Sequence, residues 1–123
     1  IGAIYHLPHG YVNAVILPYV LDFYLDAAAR PMAELARVCG LCSGDQNDTA
    51  CARTFIAEIH RLNALMGIPA TLDKVQSEDI PELARRALAE AHGTYPVPKY
   101  MSKADCESMI GLVAGRDDLE AQR

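Results

Sequence analysis

Gly2-Ala3-Ile4-Tyr5-His6-Leu7-Pro8-His9-Gly10-Tyr11-Val12-Asn13-Ala14-Val15-Ile16-Leu17-Pro18-Tyr19-Val20 is the stretch whose reading decides the fold. Two histidines flank a proline, a glycine follows, and an apolar helical face begins. Proline suits the first turn of a helix, where its missing N–H has no partner to lose. Pro8 therefore places His6 just outside a helix and His9 in its first turn. From Val12 the apolar residues Val12, Val15, Ile16, Tyr19, Val20 and Phe23 keep the three-and-four spacing of one helical face. A histidine at the mouth of a buried helix can be held rigidly, as a metal ligand or proton carrier must be. Gly10, without a Cβ, lets backbone or ligand come close.

Working outward, the pattern predicts five helices and no strand of consequence. The first runs from Pro8 to Phe23 or Tyr24, and Pro18 should kink or break it by removing one backbone hydrogen bond. The second runs from Pro31 through Val38, with Met32, Leu35, Ala36 and Cys39 on its face, and stops at Gly40. A polar loop, residues 43–48, precedes a third helix from Ala50 to Met66, capped by Asp48 or Thr49. Its face is Ala52, Phe55, Ile56, Ile59, Leu62 and Met66, and Gly67-Ile68-Pro69 ends it. Ser77 caps a fourth helix, Glu78 to Ala91, with Ile80, Leu83, Ala84, Ala87 and Leu88 inward. Ser102-Lys103-Ala104-Asp105 reads as a capping box with Asp in place of Glu. It opens a fifth helix through Val113, with Cys106, Met109, Ile110 and Val113 inward, and residues 116–123 form a frayed tail. The fold expected is an all-α bundle with the first helix at its centre.

Composition narrows the function. In 123 residues, 51% are hydrophobic and 22% charged, which suits one globular domain. The net charge of −5 and scattered basic residues argue against nucleic acid or an anionic membrane as partner. Asp22 and Asp26 interrupt the longest apolar run below the roughly 18–20 residues that span a bilayer. No basic segment followed by an apolar one opens the chain, so no secretory signal is read. The four cysteines are then expected as reduced thiols in the cytoplasm. The chain opens on Ile1, inside a motif, which is expected of a piece of a longer polypeptide.

The opening stretch resembles the signature around the last metal-binding histidine of the iron-containing (group III) alcohol dehydrogenases, G-x-x-x-x-x-P-H-G-x-x-N-A-x-x-L-P. Leu17–Phe23, Ala33–Ala36, Gly67–Leu72 and Asp79–Leu88 are similar to that family's C-terminal helical domain, in the same order. The fold implied is the C-terminal bundle of a dehydroquinate synthase-like or iron-containing alcohol dehydrogenase. His9 matches one of four protein ligands, an aspartate and three histidines, to a catalytic Fe(II) or Zn(II). In the family this metal polarises the substrate oxygen while hydride passes to or from NAD or NADP. The resemblance implies an alcohol or aldehyde as substrate. It also implies that the other three ligands and the nucleotide-binding domain precede Ile1. One ligand makes no site, so this chain by itself is expected to bind neither metal nor dinucleotide tightly and to be inactive.

Other residues carry lesser readings. His6 is a second ligand in an H-x-x-H pair or, preferred, a polar residue lining the substrate pocket; Asn or Asp also stand there in the family. His92, with Tyr95, lines the same pocket, or else His92 interacts with the dipole at its helix's C-terminus. His60 reads as a surface residue, and Asn13 as securing the helix start. Cys39-x-x-Cys42 with Cys51 is a zinc candidate, against the default of buried or loop thiols, because a second C-x-x-C pair is missing. Asp45, Asp48 and Asp73 have no partner for a catalytic dyad. Two departures from the family, Tyr24 for Asn and Tyr95–Lys99 for an Asn-Pro-Arg run, bear on which substrate is taken. The rival from another class is a non-catalytic helical association module. Within the superfamily, the P-H-G-x-x-N-A form favours the alcohol dehydrogenase branch over glycerol dehydrogenase or maleylacetate reductase. A face left apolar by a missing neighbour would self-associate, giving a homo-oligomer through the first helix.

Overall fold

In the computed structural model, residues 1–94 and 96–116 are described. Six α-helices follow in order: α1 Gly2–Tyr5, α2 His9–Phe23, α3 Leu25–Val38, α4 Asp48–Leu65, α5 Ile80–Thr94 and α6 Lys103–Val113. A 3₁₀ turn at Ser77–Asp79 leads into α5, and the described residues contain no strand.

The α2 helix is the central element. On one side Val12 and Val15 pack into a core with Leu72 and Val75 of the connecting segment, Ile80, Leu83 and Ala84 of α5, and Cys106, Ile110 and Val113 of α6. On the other side α2 meets the α3–α4 hairpin, whose seam is small: Met32 against Ala52 and Ile56, and Ala33 and Ala36 against Cys51. Small side chains let two helices approach closely, and this selects the buried stripe of α3. Leu35, expected inward, is 51% exposed, and Cys39 is exposed too. In α4 the buried positions are Cys51, Ala52, Ile56 and Asn63, while Leu62 and Met66 face outward. Ala87 of α5 is likewise exposed.

The helix boundaries have local causes. Asn47, one residue before the expected cap, accepts from the Ala50 N–H at 2.8 Å and starts α4. The capping box of α6 forms as expected, Ser102 and Asp105 exchanging side-chain and backbone bonds. Gly40 and Gly67 take φ of 70°, a backbone that other residues enter at a cost, and each closes its helix with a Schellman pair of hydrogen bonds. At Gly40 the pair is Gly40 N–H to Arg37 and Leu41 N–H to Ala36.

Pro18 does not end α2, which runs unbroken through it. A proline at 18 leaves the carbonyl of Ala14 without its helical donor. The buried amide of Asn63 fills that vacancy, donating from Nδ2 to the Ala14 oxygen at 2.7 Å. The turn comes at Tyr24, where the chain bends by 114° from α2 into α3. Pro31 then distorts the start of α3: its ring crowds the carbonyl of Ala27, and Ala28 departs from helical geometry, at φ −128° and ψ 20°. Among the described residues no single helix is long and apolar enough to cross a membrane.

Candidate functional site

The mouth of α2 is built on two unusual backbone positions. His6 ends the one-turn α1 in the left-handed region, φ 52° and ψ 40°, with its N–H donating to the Gly2 carbonyl. Histidine, asparagine and aspartate enter this region more readily than most residues, which is a physical reason for a polar residue at position 6. Pro8 then stands as the N-cap of α2, with no side-chain acceptor for the first turn. His9 is the first helical residue and lies exposed.

Tyr5 anchors this mouth to the segment that leads into α5. Its hydroxyl donates to the Asp79 carboxylate and accepts from the Gln76 N–H at 3.0 Å. Burial, and then the bond to Asp79, push the Tyr5 phenol above its ordinary pKa.

Among the described residues His9 has one side-chain partner. Asn13 Nδ2 lies 3.0 Å from His9 Nε2, one helical turn on. Asn13 therefore does not secure the helix start, as its sequence position suggested; it holds the histidine ring. Beyond it, Asn13, Ala14, Ile16, Leu17 and Val20 line an open, mostly apolar groove of about 390 Å³. A second groove, of about 340 Å³, lies between α2 and α6, with Tyr19, Asp22, Ser108 and Met109 among its walls.

His6 and His9 lie on two different elements, each exposed. His92 falls in the last turn of α5; its side chain and all of Tyr95 lie outside the described residues, as do residues 117–123 of the expected frayed tail. His60 is exposed, as expected, and meets the Tyr19 ring edge-on at 6.4 Å. Lys99, on the loop that departs from the family pattern, pairs with Asp26 at 3.0 Å and sits 4.6 Å over the Phe23 ring. It holds that loop against the α2–α3 elbow, and its hydrogen bond keeps the Asp26 carboxyl below the usual range.

The cysteines are not arranged as a zinc site. Cys42 and Cys51 are joined in a disulfide, their Cα atoms 5.8 Å apart, which spends two of the three candidate donors on each other. This corrects the expectation of four reduced thiols, on which the cytoplasmic reading leaned. Cys39 is free and exposed; Cys106 is free and buried in the other lobe, where burial pushes its thiol pKa up.

Among the described residues no three His, Cys, Asp or Glu side chains converge. A catalytic metal takes about three protein ligands, so His9 offers one donor and these residues do not make up a metal centre. Sequence reasoning found His9 through its motif and missed its partner. The signal was there: Asn13 follows at i+4, the spacing at which helical neighbours touch.

Residues 1–112 match the family model described as the Fe-containing alcohol dehydrogenase family, C-terminal. The chain is 34% identical to a 1-propanol dehydrogenase of Citrobacter freundii, over 73% of this chain and 26% of that protein. It is 34% identical to the lactaldehyde reductase of Escherichia coli (strain K12), over 72% and 24%. With alcohol dehydrogenase 4 of Saccharomyces cerevisiae it shares 37% identity, over 79% and 25%. The chain thus spans about a quarter of the length of these curated relatives. Its fold superposes on a crystal structure of a 1,3-propanediol oxidoreductase with a TM-score of 0.82 at 29% identity, covering 91% of this chain and 30% of that one.

Proposed function

This chain belongs to the Fe-containing alcohol dehydrogenase family, matching its C-terminal part, and from that premise we propose that it is the helical domain of a metal-dependent, NAD(P)-linked oxidoreductase interconverting an alcohol and its aldehyde or ketone. The observation that carries the reading is the placing of His9. It stands exposed at the first residue of the central helix, braced by Asn13 and next to an open apolar groove. A neutral imidazole there suits either Fe(II) or Zn(II). His9 is one ligand, and the other three ligands and the dinucleotide-binding domain belong to parts of the parent protein outside these 123 residues. His6, exposed at the same mouth, and His92, at the end of α5, line the alcohol or aldehyde pocket. The apolar groove of α2 is the face that meets a neighbouring domain or a second copy, as in a homo-oligomer.

The relatives named as 1-propanol dehydrogenase and lactaldehyde reductase support a small alcohol as the substrate class. The test is a chimera in which this chain replaces the matching quarter of the Citrobacter freundii 1-propanol dehydrogenase. Alcohol-dependent reduction of NAD(P) is expected from the chimera, and its loss in His9→Ala. A folded chimera whose turnover survives His9→Ala would overturn the assignment of His9. A folded chimera with no turnover on any small alcohol would favour the association-module reading.

A further inference from the structure

We propose that the three cysteines of the α3–α4 hairpin form a thiol–disulfide exchange site for a small thiol. In it Cys42 is the sulfur that changes partner, and Cys39 is the thiol that competes with Cys51 for it. The proposal is independent of His9 and of the reading of the parent as an oxidoreductase. The three sulfurs differ in access. Cys39, at the C-cap of α3, is a free and exposed thiol. Cys42, in the loop that follows, is half-buried. Cys51, in α4, is fully buried in the seam with Ala33 and Ala36.

Access decides the direction of exchange. A thiolate breaks a disulfide by attacking one sulfur while the other leaves. Solvent reaches Cys42 and not Cys51, so the entering thiolate bonds to Cys42 Sγ and the electron pair of the broken bond leaves on Cys51 Sγ. The structure has a place for that leaving group. The backbone oxygen and the side-chain Oε1 of Gln46 lie 3.9 and 4.0 Å from Cys51 Sγ. A disulfide sulfur has no hydrogen to give them, and a thiol has one. Arg37 Nη2 donates to the same Gln46 backbone oxygen at 2.7 Å and pairs with Asp48 at 2.9 Å. Its buried Nε–H has no acceptor among the described residues. The α4 helix begins at Asp48, so Cys51 stands one turn from its N-terminal end. A nearby guanidinium and a helix N-terminus both favour a departing thiolate.

Cys39 completes the exchange. The first step leaves a mixed disulfide between Cys42 and the small thiol, and a Cys51 thiol that has taken a proton. In the second step the Cys39 thiolate attacks Cys42 Sγ, and the small thiol leaves with the proton that Cys39 gave up. Cys39 and Cys42 stand in the C-x-x-C spacing of redox-active dithiols, and Gly40 between them, at φ 70°, reverses the chain. Each step exchanges one S–S bond for another, so nothing is oxidised or reduced overall and the small thiol is returned. The bond that tied the loop to α4 becomes one that closes only the end of α3.

The test is disulfide mapping of this chain after exposure to a limiting amount of reduced glutathione, with free thiols blocked before digestion. Cleavage ahead of aspartate places Cys39 and Cys42 in one peptide, 26–44, and Cys51 in another, 48–72. The starting protein is expected to show these two peptides linked. With glutathione the linked pair should give way to a bond within 26–44, with little glutathione left on Cys42. Cys39→Ser should form no such internal bond and should accumulate several-fold more of the Cys42 adduct. Cys39 is exposed, and helical circular dichroism will confirm that the variant is folded. A linked pair that glutathione leaves unchanged, or an adduct equally abundant in wild type and Cys39→Ser, would overturn the proposal. So would glutathione found on Cys39 or Cys51 in place of Cys42.

Discussion

Tyr5 shows how a single side chain couples the candidate site to the rest of the molecule. Its hydroxyl sits between the Asp79 carboxylate and the Gln76 N–H, so the short α1 is tied to the start of α5. Tyr5→Phe removes both bonds and leaves the half-buried Asp79 carboxylate without its donor, and is expected to cost about 1–2 kcal/mol of stability. The pH dependence has a definite sign. The folded protein raises the Tyr5 pKa and so holds that proton more tightly than the unfolded chain does. The stability gained is complete below the ordinary tyrosine pKa of about 10, and is lost as the pH rises through the higher folded value. Urea midpoints at neutral and strongly alkaline pH check this: wild type should lose more on the alkaline side than Tyr5→Phe. Equal losses would contradict it. At this scale the histidine was legible, because a proline, a glycine and an asparagine stand around it at fixed spacing. The left-handed backbone at His6 was not, because a one-turn helix such as α1 leaves no periodic trace.

Pro18 and Asn63 show the same division among elements. A proline ten residues into a helical pattern promises a kink or a break, and sequence spacing cannot say that an asparagine 45 positions later will fill the gap. That pairing, across 2.7 Å from Asn63 to the Ala14 carbonyl, explains the one polar side chain among the described buried residues. Asn63→Leu is expected to cost about 1–3 kcal/mol, the penalty of a buried acceptor left unpaired. Pro18→Ala restores a donor inside the helix. In that background Asn63→Leu should cost at least about 0.5 kcal/mol less, the scale at which double-mutant cycles detect groups that share a partner. Strictly additive effects would contradict this account.

The α3–α4 hairpin carries a second device at this scale, the Cys42–Cys51 disulfide across nine positions of chain. Closing a loop of that length stabilises by about 2–3 kcal/mol on the chain-entropy argument. Cys42→Ser, or reduction of wild type, should therefore lower the urea midpoint, and reductant should change Cys42→Ser no further. A wild-type midpoint indifferent to reductant would contradict the pairing. The existence and order of the five main helices were readable from apolar spacing and from glycines 40 and 67. The inward faces of α3 and α4 were less so. Alanine-rich stripes form the close seam, and large residues such as Leu35 are left outside it.

Across the whole molecule, two lobes share α2, and α2 is more apolar than the described bundle needs. Leu17 is 44% exposed on the wall of the groove beside Asn13. Exposed apolar faces of this kind tend to be covered in solution, so the isolated chain is expected to self-associate at high concentration. Leu17→Asp should shift its sedimentation profile toward monomer; a profile that is monomeric in wild type, or unchanged by the substitution, would contradict that use of the face. All-α architecture, the centrality of α2 and family membership were in the sequence, because motif and helical period agree along nearly the whole chain. A complete metal centre was not there to read among the described residues, where no three candidate donor side chains converge.

The central claim is that His9 is a metal ligand whose partners lie elsewhere. Calorimetric titration of this chain with zinc(II), beside His9→Ala, tests it most directly. The account predicts weak binding by wild type that His9→Ala abolishes. Tight binding that survives His9→Ala would contradict it, and would mean that other side chains hold the metal.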